Sequence, residues 1–215
     1  KLFSMGCHLV ILACNTASAK ALRTIQQNDL QAINPSRRVL GIIRPTAECI
    51  GQLTTSRHVG IVATPGTIKS ESYKLEISKL FPDITVTGEA CPMWVPLVEN
   101  YEFDSPGADY FVKKRINNLL RKDHEIDAII LGCTHYPLLI NKILKYVPAG
   151  VKIIPQGEYV ANSLKEYFVR HPEMENQCRH GGKCLYMTTE SPEKFKESAQ
   201  VFLHEQVEVS HIDLE

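Results

Sequence analysis

The sequence predicts an α/β protein built on parallel sheets, and three observations carry that expectation. Apolar, strand-like runs alternate with helical patterns nearly throughout, the arrangement of parallel strands joined by right-handed crossovers. Two strands end in a cysteine followed by hydroxylated residues. Leu9-Val10-Ile11-Leu12-Ala13 runs into Cys14-Asn15-Thr16-Ala17-Ser18-Ala19, and Ala128-Ile129-Ile130 runs into Leu131-Gly132-Cys133-Thr134-His135-Tyr136-Pro137-Leu138-Leu139. A third strand, over 58–63, closes in Thr64-Pro65-Gly66-Thr67. Parallel sheets bind ligands beyond the carboxyl ends of their strands, and Cys14, Thr64 and Cys133 all fall at such ends.

Lys1-Leu2-Phe3-Ser4-Met5-Gly6 reads as the last turn of a helix, closed by a left-handed Gly6. An element present only as its last turn gives the expectation of a missing preceding segment. Residues 8–13 form the first strand, 18–27 a helix with Ala21, Leu22 and Ile25 on one face, and 39–43 the second strand. Pro45 opens a short helix to residue 53, with Ala47, Ile50 and Gly51 available for packing. After the 58–63 strand, a helix is expected over 69–80, with Tyr73, Ile77 and Leu80 at core spacing. Residues 84–87 alternate as a short strand, and 91–99 read as a proline-punctuated apolar loop ending in the Glu99 carboxylate. Val112, Ile116 and Leu119 stack on one face of a helix over 109–122. Beyond Cys133, Pro137 suits a first helical turn, and 151–154 make another strand. Residues 159–171 are helical with Ala161, Leu164 and Phe168 inward, and the polar stretch 172–183 is an exposed loop. A strand over 185–188, a helix over 192–203 and a strand over 207–212 complete the chain.

Composition narrows the function classes. The 215 residues are 44% hydrophobic and 22% charged, ordinary for a soluble globular protein. Lys+Arg and Asp+Glu both number 24, which gives no electrostatic reason to expect nucleic acid or an anionic membrane surface as partner. The apolar runs are too short to span a bilayer, and no signal segment opens the chain. Seven cysteines, an odd number spread along the chain, do not resemble a secreted disulfide scaffold. The expectation is a reduced, cytoplasmic, enzyme-like protein.

Two thiols at matched strand ends admit several chemistries. A helix start favours a thiolate over a thiol, because its unpaired N–H groups are positively polarised. A metal site would need further ligands, and a redox pair usually shows Cys-x-x-Cys, which neither Cys14 nor Cys133 has. General acid–base chemistry would place one thiolate and one thiol on opposite faces of a carbon acid, taking a proton from one face and returning one to the other. It would need no cofactor. Glu99 and His135 suit such a site as groups that tune thiol ionisation or relay protons.

The segments Ala13-Cys14-Asn15-Thr16-Ala17-Ser18 and Leu131 to Leu139 resemble the two cysteine signatures of bacterial glutamate racemases. Gly60-Ile61-Val62-Ala63-Thr64-Pro65-Gly66-Thr67 is similar to that family's substrate-carboxylate turn, and Pro96-Leu97-Val98-Glu99 to its acidic loop. The resemblance implies two pseudo-symmetric α/β domains, 1–44 with 156–215 and 45–155, and an active site in the cleft between them. It implies cofactor-independent interconversion of L- and D-glutamate, with D-glutamate feeding peptidoglycan synthesis, and a homodimer. Cys133 would deprotonate L-glutamate and Cys14 the D enantiomer, with His135 and Glu99 assisting on the Cys133 side. Asn15, Thr16, Thr64, Thr67 and Thr134 would hold the substrate's carboxylates and amine. The family's Asp-Ser-Gly turn and Pro-Tyr-Gly segment do not precede Cys14, and Ile154-Pro155-Gln156-Gly157-Glu158 departs from the family's later turn. The chain is therefore expected to lack an N-terminal segment and, as written, to racemise glutamate poorly.

Plainer readings stand beside these. Cys7, Cys49 and Cys91 are expected as core or semi-buried fillers, and Trp94 as packing or part of an interface. Cys178, His180 and Cys184 lie close in sequence but supply only three candidate ligands, so a surface loop is expected in place of a metal site. Asn15, Thr16, Thr64 and Thr67 can all serve as helix caps while binding substrate. An aspartate or other amino-acid racemase and a non-catalytic regulatory binding protein are the rival functions. Retention of both thiols argues against the latter.

Overall fold

The computed structural model describes residues 1–214. Strand β1 (Leu9–Leu12) pairs in parallel with β2 (Arg38–Gly41). Between them α1 (Asn15–Thr24) runs through a π-helical turn, Ile25–Asp29, into α2 (Leu30–Ile33). This helical segment starts earlier and ends later than its periodicity predicts. The extended backbone of Cys14 caps it at Asn15, and no Gly or Pro interrupts it until Pro35. Next, α3 (Ile43–Leu53) begins ahead of Pro45, which sits in the first turn where an N–H has no partner to lose.

A four-stranded parallel sheet of order β4-β3-β5-β6 follows. It is assembled from β3 (His58–Ala63), α4 (Pro65–Lys69), α5 (Ser72–Leu80), β4 (Thr85–Ala90), α6 (Trp94–Glu99), α7 (Pro106–Lys122), β5 (Ala128–Gly132), a 3-10 turn Tyr136–Leu139, α8 (Ile140–Tyr146) and β6 (Lys152–Ile154). Its side chains divide by strand alternation. Val62, Ile129 and Leu131 pack with Val112, Ile116 and Leu119 of α7. Ile61, Ala63 and Ile130 pack on the other face with Ile50 of α3 and Ile77 of α5. The chain then continues through α9 (Gly157–Arg170), α10 (Pro172–Glu175), β7 (Tyr186–Thr188), α11 (Pro192–Leu203) and β8 (Val209–His211), with β7 and β8 parallel. Among the described residues no helix is long and apolar enough to cross a membrane.

Several expectations need correction. The loop expected over 91–99 contains a helix, because Trp94 and Val98 sit one turn apart on the core side, both fully buried, and Pro96 lies in the first turn where it is tolerated. Trp94 packs edge-on against Tyr136 at 4.7 Å, inside the chain's own core. The helix expected over 69–80 is two helices, α4 and α5, broken where Glu71 takes a left-handed φ of 53°. In α9, Ala161 is exposed instead of inward; it falls off the stripe of Val160, Leu164 and Tyr167 that lines a cavity beside α1 and α3. The stretch expected as an exposed loop over 172–183 opens with α10, which buries Met174.

The amino end of β5 is tied to the end of α3 through Asp127. Its carboxylate accepts from Thr54 Oγ1 at 2.6 Å and from the backbone N–H groups of Thr55 and Ser56 at 2.6 and 2.8 Å. Partial burial opposes its charge, but these donors outweigh that and hold the carboxyl well below the usual carboxylate range. Such a group adds stability above its unfolded-state pKa of ~3.9, and that stability is lost as pH falls toward the lower folded value. Asp127→Ala is expected to cost ~1.5–3 kcal/mol in urea denaturation at neutral pH, with a smaller further loss on acidification than the parent shows. Equal acid sensitivity in the two proteins would contradict this account.

Candidate active site

Three strand ends converge on one region. After β1, Cys14 is the exposed N-cap of α1, with Asn15 and Thr16 in the first turn behind it. After β3, Thr64 caps α4, and its side chain accepts from the Thr67 N–H at 3.3 Å. The hydroxyls of Thr16, Thr64 and Thr67 form a triangle of 2.8, 3.0 and 3.1 Å, so α1 meets the α4 turn through three interchangeable donors and acceptors. Gly66 permits that approach, since a Cβ there would stand 3.2 Å from Thr16 Cγ2 and 3.4 Å from Lys20 Cε.

After β5, Cys133 is buried, and its setting differs from the expected helix start. The 3-10 turn begins only at Tyr136, so no helix begins at the thiol itself. Burial pushes the thiol up to about 11, against the lowering effect of the His135 backbone N–H; the nearby Cys14 adds to the rise. His135 Nδ1 stands 3.6 Å from Cys133 Sγ, and His135 Nε2 stands 2.5 Å from Glu99 Oε1. A carboxylate can only accept, so Nε2 carries a proton, and in the neutral ring Nδ1 is the acceptor that faces the thiol. Glu99 reaches this position because it is the last residue of α6. Thr134 is exposed beside the pair, on the wall of a cavity of about 430 Å³ shared with Lys194, Ser198 and Phe202 of α11.

The geometry thus brings Cys14, Thr16, Thr64 and Thr67 together on one side and Cys133, His135 and Glu99 on the other. Asn15 is placed differently from the threonines: it is almost fully buried, its Nδ2 donating to Gln156 Oε1 at 2.7 Å and its Oδ1 accepting from the Tyr73 hydroxyl at 2.5 Å. Neither partner stood out as a site residue in the sequence. Tyr73 shares its spacing with core residues, so nothing signalled that its hydroxyl has work to do, and Gln156 showed only as a departure in a familiar turn. Burial also raises the Tyr73 phenol, which stays protonated and able to donate. Cys178, His180 and Cys184 do not gather, and among the described residues no group of three potential metal ligands does.

Comparison with known proteins identifies the family and the fold. A profile of the Asp/Glu/hydantoin racemase family matches residues 1–164. A glutamate racemase from Roseobacter denitrificans is 35% identical over 220 residues, covering 98% of this chain and 78% of the relative. The crystal structure of a glutamate racemase isoform from Bacillus anthracis superposes with a TM-score of 0.84 at 33% identity, covering 96% of this chain and 74% of that one. The glutamate racemase of Francisella tularensis, crystallised with D-glutamate, gives 0.82 at 26% identity, covering all of this chain and 76% of that one.

The unequal settings of the two thiols are measurable. With its pKa at about 11, Cys133 is expected to be only ~0.1% thiolate at pH 8, and it is buried where Cys14 is exposed. Iodoacetamide followed by peptide mass mapping should therefore label Cys14 well before Cys133. Faster labelling of Cys133 would show that its burial is wrongly assigned.

Proposed function

Because the chain belongs to the Asp/Glu/hydantoin racemase family, we propose that it racemises glutamate by two-thiol acid–base chemistry. The observation that carries this reading is the pair of cysteines that follow β1 and β5, near enough to interact, beside a triangle of threonine hydroxyls that joins the turns after β1 and β3. One thiolate takes the Cα proton, breaking C–H and forming S–H, and the opposite thiol returns a proton to the other face of the carbanion. The substrate leaves inverted, with the protonation states of the two cysteines exchanged. Cys133 serves L-glutamate and Cys14 the D enantiomer. His135 Nδ1 receives the thiol proton and prepares the thiolate, a role supported by its 3.6 Å approach to Cys133 and by the Glu99 contact on its other nitrogen. Asn15, Thr16, Thr64, Thr67 and Thr134 hold carboxylates and amine by hydrogen bonds. No cofactor enters this scheme.

The same reading divides the chain into 1–44 with 156–215 and 45–155, supported by the separation of the β1–β2 pair from the four-stranded sheet. It makes D-glutamate a precursor for peptidoglycan. A cytoplasmic homodimer follows from the family resemblance and from the scattered, odd cysteine count.

Circular dichroism of L- and D-glutamate, followed with time in the gene product that contains this chain, tests the reading. Cys14→Ala and Cys133→Ala should each lower turnover by a factor of ~10² to 10⁴; near-normal activity in either would remove the two-thiol mechanism. Faster turnover of aspartate than glutamate would move the substrate assignment to aspartate. Each direction needs one thiolate and one thiol, and Cys133 rests as a thiol raised to about 11. Hence kcat/KM for L-glutamate, whose proton Cys133 takes as thiolate, should rise with pH between roughly pH 6 and 9. A flat profile would mean that the buried thiol does not limit the reaction.

A further inference from the structure

The side chain of Asn15 cannot turn freely, and the reason lies in residues behind the cleft. Thr46 Oγ1 donates its one proton to the Ile42 carbonyl at 3.1 Å, so toward Gln156 it can only accept. The Gln156 atom facing it at 2.8 Å is therefore Nε2, which also lies 3.4 Å from the same Ile42 carbonyl. Gln156 must then turn Oε1 toward Asn15, and Asn15 answers with Nδ2 at 2.7 Å. That leaves Asn15 Oδ1 facing the Tyr73 hydroxyl, which donates to it at 2.5 Å while accepting from Gln156 Nε2 at 2.5 Å. Asn15, Tyr73 and Gln156 close a three-membered ring whose every polarity follows from one main-chain carbonyl.

The ring is almost enclosed: Asn15, Thr46, Tyr73 and Gln156 are 2, 0, 3 and 7% exposed, so Asn15 keeps only a small opening. Little solvent competes for these groups, so a reversed amide would face like against like at both ends. Of the two Nδ2 protons of Asn15, one is given to Gln156, and among the described residues no acceptor takes the other. The oxygen end is occupied and the N–H end is left available, in the residue next to Cys14.

We propose that Tyr73 and Gln156 are positioning residues for the racemisation. Acting through Asn15, they present an amide donor, and never the amide oxygen, to a carboxylate bound beside Cys14. This rests on the racemase reading above and assigns a task to two side chains that the two-thiol scheme leaves unused. A carboxylate oxygen needs a donor, and a freely turning amide would offer its oxygen part of the time and repel the substrate. The positioning acts on binding, so its mark is in KM and not in kcat.

Tyr73→Phe removes one hydroxyl and keeps the ring that packs beside Ile77. In the gene product containing this chain, KM for both glutamate enantiomers should rise about tenfold, with kcat within about twofold of the parent. Asn15→Ala should raise KM on its own, and adding Tyr73→Phe to it should change KM no further, because Tyr73 acts only through Asn15. A merely structural tyrosine would raise KM by the same factor in both backgrounds. In ¹⁵N spectra, the Asn15 side-chain amide protons should exchange slowly in the parent and quickly in Tyr73→Phe. Gln156→Met, which removes the relay from the other side, carries the same comparison if Tyr73→Phe does not fold. An unchanged KM in Tyr73→Phe, or an equal factor in both backgrounds, overturns the positioning role and leaves the racemase reading standing. Absence of turnover of either enantiomer by the parent overturns both.

Discussion

With Val59, Val62, Ala63, Ala128, Ile129 and Ile130 fully enclosed between two layers of helix, β3 and β5 have no side chain to offer a ligand along their length. Apart from His58 at the amino end of β3, these strands become available to a ligand only where they end, ahead of Thr64 and Cys133. Double-sided burial therefore decides where chemistry can take place before any catalytic residue is considered. The β1–β2 pair repeats the logic on a smaller scale, with Cys14 leaving the end of β1 directly into a helix. Parallel strands whose ends face one region bring two cysteines 119 positions apart in numbering (14 and 133) to the same cleft.

Within that cleft the two thiols are not equivalent, and magnitudes settle which force rules. Burial that moves a thiol from 9 to about 11 disfavours the thiolate of Cys133 by ~3 kcal/mol. A helix terminus at an exposed site returns only ~0.3–1 kcal/mol, and Cys133 does not even cap a helix, since three residues separate Gly132 from the 3-10 turn. Desolvation wins. A neighbouring base is the remaining means of making the thiolate, which gives physical meaning to the imidazole of His135 at 3.6 Å and to the Glu99 carboxylate that sets its tautomer. Cys14, exposed at the head of α1, stands in a wetter and more accessible setting.

Polar groups join the β1–β2 unit to the larger sheet where an apolar seam would have sufficed for stability. The threonine triangle and the Asn15–Tyr73–Gln156 ring are both satisfied within the protein, and both run from α1 to elements that follow β3 or β6. Apolar contact would hold these elements together without fixing their angle. Directional hydrogen bonds in a dry interior fix orientation as well, because any misalignment leaves a buried donor or acceptor unpaired.

The sequence by itself determined the elements whose signal is local. Apolar runs marked the central strands, with 58–63 matching β3 residue for residue, and the helix start at Pro192 fell where expected, while other helix starts lay two or more residues from their expected positions. It also placed Cys14, Thr64 and Cys133 at strand ends, since a strand end is a one-dimensional feature. Readings failed where two local signals conflicted: the prolines of 91–99 suggested a loop, but burial of Trp94 and Val98 one turn apart made a helix, and that helix delivers Glu99 to His135. Tertiary structure alone decided the ionisation of Cys133 and the enclosure of Asn15. A pKa depends on what surrounds the sulfur in three dimensions, and the ring depends on Tyr73 and Gln156, 83 positions apart. Residue spacing reports which face a side chain takes; it carries no information about which distant polar atom waits there.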